Sequence, residues 1–248
     1  MIRKIHPTSA DFDNLSRLKT DPGEAVSAQD FSAVVVKKPW GYEYLWFQNA
    51  SVAIWVLHLL PGQATSLHCH IRKRTSLIVA DGQVVCSTIG SRYRLGVADA
   101  VVLEPCVFHT TQAISDEGAC VMEIETPPMK GDLVRMKDSF GRAGQGYEDK
   151  SQYETNLGEF EYQPWPGAEC EGCSVRSLKA QIRRITNQNQ WQSVKERSSV
   201  VMPVSERLRV GPKMADVGEA VPVDLLRPHD FPGDERGIDL LILESTTR

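Results

Sequence analysis

Between residues 52 and 126 the chain breaks into short apolar, β-branched runs separated by turn residues, and this rhythm constrains its fold more than any other feature. Residues 52–60 form one such run and end at Pro61-Gly62, a turn dipeptide. Residues 76–80 form another, followed by Asp81-Gly82, which reads as a two-residue hairpin turn, and by the run 83–88. Further runs cover 91–95, 100–104 and 119–126. Many strands at this spacing, with little helical pattern between them, predict an all-β closed barrel or sandwich.

His68 and His70 stand one residue apart inside this series. On a strand, side chains two positions apart share a face at roughly 7 Å, so both imidazoles can reach one metal ion. On a helix the same spacing would splay them by about 200°. Neutral imidazole is the commonest metal ligand, so the β reading of this segment turns a spacing into a candidate metal site.

The register of Gly62, His68, His70 and Gly82 resembles the first motif of the cupin family: Gly, five residues, His-x-His, three or four residues, Glu, six residues, Gly. Thr75 stands where that motif has Glu. The histidine of the second cupin motif is matched by His109, whereas its Gly, Pro and Asn positions carry Ala98, Glu104 and Ala113. Residues 38–43 and 131–142 are similar to segments of the cupin domain of bacterial type II mannose-6-phosphate isomerases, so the resemblance covers about residues 37–148. It implies a cupin-type double-stranded β-helix, a jelly-roll barrel, in which His68, His70 and His109 ligate a divalent ion (Zn, Fe, Mn or Ni). It also implies an isomerase or epimerase of carbohydrate or surface-polysaccharide metabolism, a sugar phosphate or nucleotide sugar as substrate, and a homodimer. A three-histidine non-haem iron dioxygenase and a non-catalytic, carbohydrate-binding regulatory module stay open beside it.

Several other residues are candidates for the same chemistry. Residues 120–126 alternate, so Val121, Glu123 and Glu125 share a face; if that face is the barrel interior, Glu123 is a candidate base or fourth ligand. Gln112, three residues after His109, is a further candidate ligand, and Gln63 a lesser one. Arg72 and Arg74 directly follow the histidine pair and could hold a phosphate or diphosphate. Tyr42, with Trp40, offers an aromatic wall for a sugar ring. His58, in an apolar run, reads as structural.

The 248 residues suffice for one large domain or two small ones. A net charge of −4, from 28 basic and 32 acidic residues, gives no general attraction to nucleic acid or anionic membranes. No apolar stretch approaches the roughly 18 residues needed to span a bilayer, and residues 1–7 lack the apolar core of a signal peptide, so the expected location is cytoplasmic. Six cysteines make no disulfide scaffold. Cys69 should face away from the histidines, Cys86, Cys106 and Cys120 read as core, and Cys170-x-x-Cys173 is a lone pair without a partner pair. The expected organisation is an N-terminal helix and loop (1–33), with Ser9 capping a helix over 9–19 and a polar loop over 20–30; a cupin barrel with its tail (34–148); and a linker with a C-terminal β-rich segment (149–248). Residues 218–229 can be laid without a gap on 98–109, and 200–210 echo 84–95, which suggests a degenerate second cupin-like half lacking the histidine pair.

Overall fold

The computed structural model describes residues 1–18, 30–167, 170, 172–227, 230 and 237–246. Eight strands form the first sheet, in the order β1 (Ile2–Ile5), β9 (Ala100–Leu103), β6 (Arg74–Asp81), β11 (Ala119–Thr126), β4 (Ala53–Leu59), β3 (Gly41–Gln48), β2 (Val35–Lys38) and β13 (Tyr153–Glu154). Five strands form the second: β12 (Val134–Lys137), β5 (Leu67–Cys69), β10 (His109–Ala113), β7 (Val84–Thr88) and β8 (Arg92–Leu95). Facing each other, these sheets make the all-β, cupin-type double-stranded β-helix that the strand rhythm and the motif register imply. Trp55, Leu57, Leu77, Val79, Val84 and Cys86 fill the space between them.

The turn at Asp81-Gly82 differs from the sequence expectation. It joins β6 to β7, but those strands lie in different sheets and pair with other partners. The chain turns a corner there instead of forming a hairpin. Gly82 takes φ 71°, and a Cβ on it would sit 2.6 Å from the Gly118 carbonyl oxygen, so close backbone approach selects glycine.

A third sheet packs on the outer face of the first, in the order β14 (Cys173–Val175), β15 (Leu178–Ile185), β20 (Ile238–Ser245), β16 (Val200–Pro203) and β19 (Val221–Pro222). Strand period two is plain along β20: Leu241 and Leu243 join Trp46, Ile54, Val56 and Met122 against the barrel, while Leu240 and Ile242 face the opposite way. There they meet Trp191 and Val194 of helix α2 (Gln188–Arg197) and the hairpin β17 (Leu208–Val210) and β18 (Lys213–Ala215). The segments that echo one another in sequence do not pair alike. β16 and β19 pair with each other, whereas β7 pairs with β10 and β8, and β9 with β6 and β1. His229, the end of the proposed repeat, lies outside the described residues, as does the loop expected at 20–30 apart from Asp30.

Near the N-terminus, helix α1 (Ser9–Leu18) starts as expected, but Thr8 rather than Ser9 makes the capping contacts. The Asp11 carboxylate accepts from the Thr8 backbone N–H and hydroxyl, and its other oxygen accepts from the Phe108 N–H at 2.9 Å. Leu15 and Leu18 pack on Cys69, Phe108 and Val134, the outer face of the second sheet, while Phe12 is exposed. Cys69 therefore faces away from the histidines on either side of it. Cys86 and Cys120 are core residues as expected; Cys106 is only half-buried, at φ 71° in a turn.

Gly41, where β3 begins, is a second glycine that geometry demands. Its φ is 143°, and a Cβ would fall 1.9 Å from the His58 carbonyl oxygen in β4. Gly41→Ala must push β3 off β4. We expect it to lose at least about 2 kcal/mol by urea denaturation; an unchanged midpoint would contradict the register.

A candidate three-histidine centre facing a buried charge network

His68 comes from β5, His70 from the residue just past it, and His109 from β10, where it pairs directly with His68. Strand alternation turns all three into the barrel, and their ligating atoms lie within 4.8 Å of one another. Ring centroids are separated by 5.0, 4.4 and 5.5 Å. Each Nδ1 lies against a backbone carbonyl: that of Ser66 for His68 (2.8 Å), that of Asp132 for His70, and that of Val107 for His109 (3.0 Å). A carbonyl oxygen only accepts, so every Nδ1 carries the proton and every Nε2 keeps its lone pair. Burial disfavours the imidazolium in each case, holding His68 and His70 well below the ordinary value and His109 at about 4. His70 Nε2 is buried with no hydrogen-bond partner.

Such a set suits a cation. Metal-bound histidines commonly donate their second ring N–H to a carbonyl, which fixes the tautomer, and a buried, partnerless Nε2 is a ligand atom awaiting a partner. Asp132 secures this corner twice over. Besides its carbonyl on His70, its carboxylate accepts from the N–H groups of Ile71, Arg72 and Lys73 at 3.1, 2.8 and 2.9 Å.

The first sheet supplies the opposite wall. Glu123 and Glu125 of β11 point into the barrel, as does Glu43 of β3. Lys73 Nζ lies 2.7 Å from Glu125, and Lys130 bridges Glu43 at 3.0 Å and Glu125 at 3.4 Å, with its ammonium 3.7 Å from the centroid of the Trp55 ring. Tyr147 donates its hydroxyl to Glu43, and Lys38 lies between Glu43 and Glu148. Arg135 and Arg142 also pair with Glu148. Burial would raise all of these carboxylates. For Glu125, Lys73 and Lys130 outweigh it and keep the group ionised; for Glu43, Lys130 and Lys38, with the Tyr147 hydroxyl, hold it at about 2. Glu123 lacks such a close cation. Burial raises it, with Glu125 and Glu43 adding to the rise, and its carboxylate lies 3.9 Å from His70 Nε2. Two carboxylates two residues apart are thus driven to opposite protonation behaviour, the pattern of acid–base sites.

Between the two walls lies an open-sided cavity of about 50 Å³, lined by His68 and His70 on one side and by Glu43, Glu123 and Glu125 on the other. Trp40 also lines it. Other residues singled out in the sequence lie elsewhere. Gln112 is three positions from His109, an odd step on a strand, so it faces out, is exposed and donates to the Gly62 carbonyl. Tyr42 precedes the inward Glu43, so it too faces out and stacks on His58. Arg74 pairs with Glu104 and Asp216, and Arg72 is exposed on the turn; neither lines the cavity, and nor does Gln63. Thr75 faces inward, is 1% exposed and leaves its hydroxyl without a partner. Lys73 stands in the basic cluster 72–74 that the sequence marks as a candidate phosphate anchor, while Lys130, Glu43, Asp132 and Tyr147 are not singled out there as site residues. Inward parity on strands flanking the histidines was the only available signal, and Lys130, Asp132 and Tyr147 lie in loops where parity does not apply.

No family model matches the sequence, and no curated protein matches it. Solved structures do. KdgF from Halomonas sp. is 19% identical over 36% of this chain and 82% of its own, with a TM-score of 0.35. The capsular polysaccharide assembling protein CapF from Staphylococcus aureus is 14% identical over 42% of this chain and 34% of its own, with a TM-score of 0.39. A cupin-superfamily sugar phosphate isomerase from Silicibacter pomeroyi is 14% identical over 34% of this chain and 58% of its own, with a TM-score of 0.33. The match thus spans about a third of CapF and under two thirds of the isomerase. At these identities and scores the strand pairings, not the neighbours, carry the fold assignment.

Glu43 offers a test of the charge network. Its folded pKa is depressed from 4.5 to about 2, so its stabilising contribution is present above 4.5 and is lost as pH falls toward 2. Glu43→Gln should cost about 3–5 kcal/mol at pH 7. In urea titrations the gap to wild type should narrow between pH 4.5 and 2; a pH-independent gap would contradict the pairing.

Proposed function

We propose that the chain is a metal-binding cupin protein that isomerises or epimerises a sugar or sugar phosphate in carbohydrate metabolism. The observation that carries this reading is the convergence of three tautomer-locked imidazoles, two of which line the cavity, with the raised carboxyl of Glu123 across from them. A divalent ion held by His68, His70 and His109 would act as a Lewis acid toward a substrate carbonyl or hydroxyl oxygen. Glu123, with its raised pKa and its place beside His70, suits proton transfer at the adjacent carbon. Glu125, kept ionised by Lys73 and Lys130, is placed to accept hydrogen bonds from hydroxyl groups. Lys38, Lys73, Lys130, Arg135 and Arg142 are the cations lining the cavity, and they replace Arg72 and Arg74 as candidate contacts for an anionic substituent. The finer likeness to type II mannose-6-phosphate isomerases rests on residues 38–43 and 131–142 alone, and the homodimer expected from it belongs to the same proposal. Among the described residues no helix is long and apolar enough to cross a membrane.

Thr75, in place of a ligating carboxylate, favours one second reading, a three-histidine non-haem iron dioxygenase. Oxygen uptake by Fe(II)-loaded protein with thiol or diketone substrates would select it.

Two outcomes follow from the first reading. Elemental analysis of purified protein should find about one divalent ion per chain, and His68→Ala or His109→Ala should lose it; full occupancy in both variants would contradict the site. In metal-replete protein, Glu123→Gln should keep the ion while lowering turnover on a panel of sugar phosphates and nucleotide sugars by about 10²–10⁴-fold. Absence of wild-type turnover across that panel would overturn the isomerase assignment.

A further inference from the structure

A second cavity lies across the first sheet from the histidines. It forms where the outer faces of β3, β4 and β11 meet residues 158–161 and Arg176, and it measures about 460 Å³, within the usual range for small-molecule sites. An adjoining space of about 240 Å³ shares His58, Glu161 and Arg176 with it.

Aromatic rings make its floor. Tyr42 stacks on His58 with centroids 4.4 Å apart and planes 10° from parallel, and Phe160 meets Tyr42 edge-on at 5.0 Å. His58 is 9% exposed, and its Nε2 is buried without a hydrogen-bond partner. Such an atom lacks the hydrogen bond that a ligand donor would supply. Desolvation and Arg176 hold this imidazole neutral, at about 4.

The rim is acidic. Asp81, Glu117, Glu159 and Glu161 border the cavity, against one cation, Arg176. Arg176 is committed to Glu161 at 2.6 Å, and Asp81 accepts the Ser177 hydroxyl. Among the described residues, Glu117 and Glu159 have no ion-pair partner. A stacked π face below uncompensated carboxylates is recognition chemistry for an organic ammonium group.

We propose that this cavity binds a small organic cation, a primary amine carrying a ring or other flat apolar face. The apolar face lies against the Tyr42 and Phe160 rings, the His58 ring being stacked between Tyr42 and Tyr44, the ammonium points toward Glu117 and Glu159, and a polar group of the ligand meets His58 Nε2. The site is separate from the histidine centre and does not depend on the metal reading.

Titration of the whole chain with benzylamine, and separately with benzyl alcohol and glucose, tests this by NMR on side-chain resonances. Benzylamine should give saturable shifts at His58, Tyr42 and Phe160 and leave His68, His70 and His109 unmoved. Benzyl alcohol should bind about tenfold more weakly, and a Glu117→Gln/Glu159→Gln double variant, altered only at exposed positions, should weaken benzylamine by a similar factor. The proposal is overturned by the absence of saturable shifts up to about ten millimolar benzylamine. Equal binding of benzyl alcohol, tighter binding of glucose, or undiminished binding by the double variant would overturn it as well.

Discussion

The pairing of ionised groups inside the barrel is the constraint on which this structure turns. A jelly-roll interior is ordinarily filled by apolar side chains, and this one is so filled at the end lined by Leu77, Val79, Val84 and Cys86. At the other end Glu43, Glu125 and Lys73 are more than nine-tenths buried and the Lys130 side chain is 11% exposed, at distances of 2.7–3.4 Å. Each of these groups would be intolerable alone, because an unpaired buried charge costs several kcal/mol. Together they form a polar wall across the cavity from His68 and His70 of the opposite sheet.

Backbone carbonyls do for the histidines what ion pairs do for the carboxylates. Ser66, Asp132 and Val107 each present a carbonyl oxygen to an Nδ1, so the ligand face of every imidazole is chosen by main chain rather than by another mobile side chain. Two of these carbonyls lie two residues before the histidine they hold, which ties tautomer to local strand geometry. The third, on Asp132, brings the tail of the barrel back to the site, and the same residue's carboxylate caps the turn at 71–73. Helix α1 adds support from outside, through Asp11 on the N–H of Phe108, one residue before His109.

Much of this was legible in the sequence. The strand run from 53 to 126, the shared face of His68 and His70, the outward placement of Cys69 and the common face of Glu123 and Glu125 follow from period two plus turn chemistry. His109 is reached through the motif resemblance, and period two does not say which way the Glu123 face points. Where reading failed, parity was overridden or ignored. Gln112 and Tyr42 sit an odd number of positions from inward residues and so face out. Arg74 looks like a free cation beside the histidines, but it is drawn to Asp216, 142 residues away in the chain, a contact no local pattern reveals. Asp81-Gly82 carries the chemistry of a hairpin turn, yet the strands on either side pair elsewhere. Lys130 and Tyr147 reach the site from loops, where sequence gives no periodicity to read.

The central claim is that three neutral imidazoles turn their Nε2 lone pairs toward one another, within reach of a single ion. Long-range ¹H–¹⁵N NMR of the metal-free protein at pH 7 reads this directly, because the two ring nitrogens of a neutral histidine differ in shift according to which bears the proton. The account predicts the Nδ1–H tautomer for His68, His70 and His109 alike, with the Nε2 signals moving on addition of a divalent ion. An Nε2–H tautomer or an imidazolium at any of the three would contradict it.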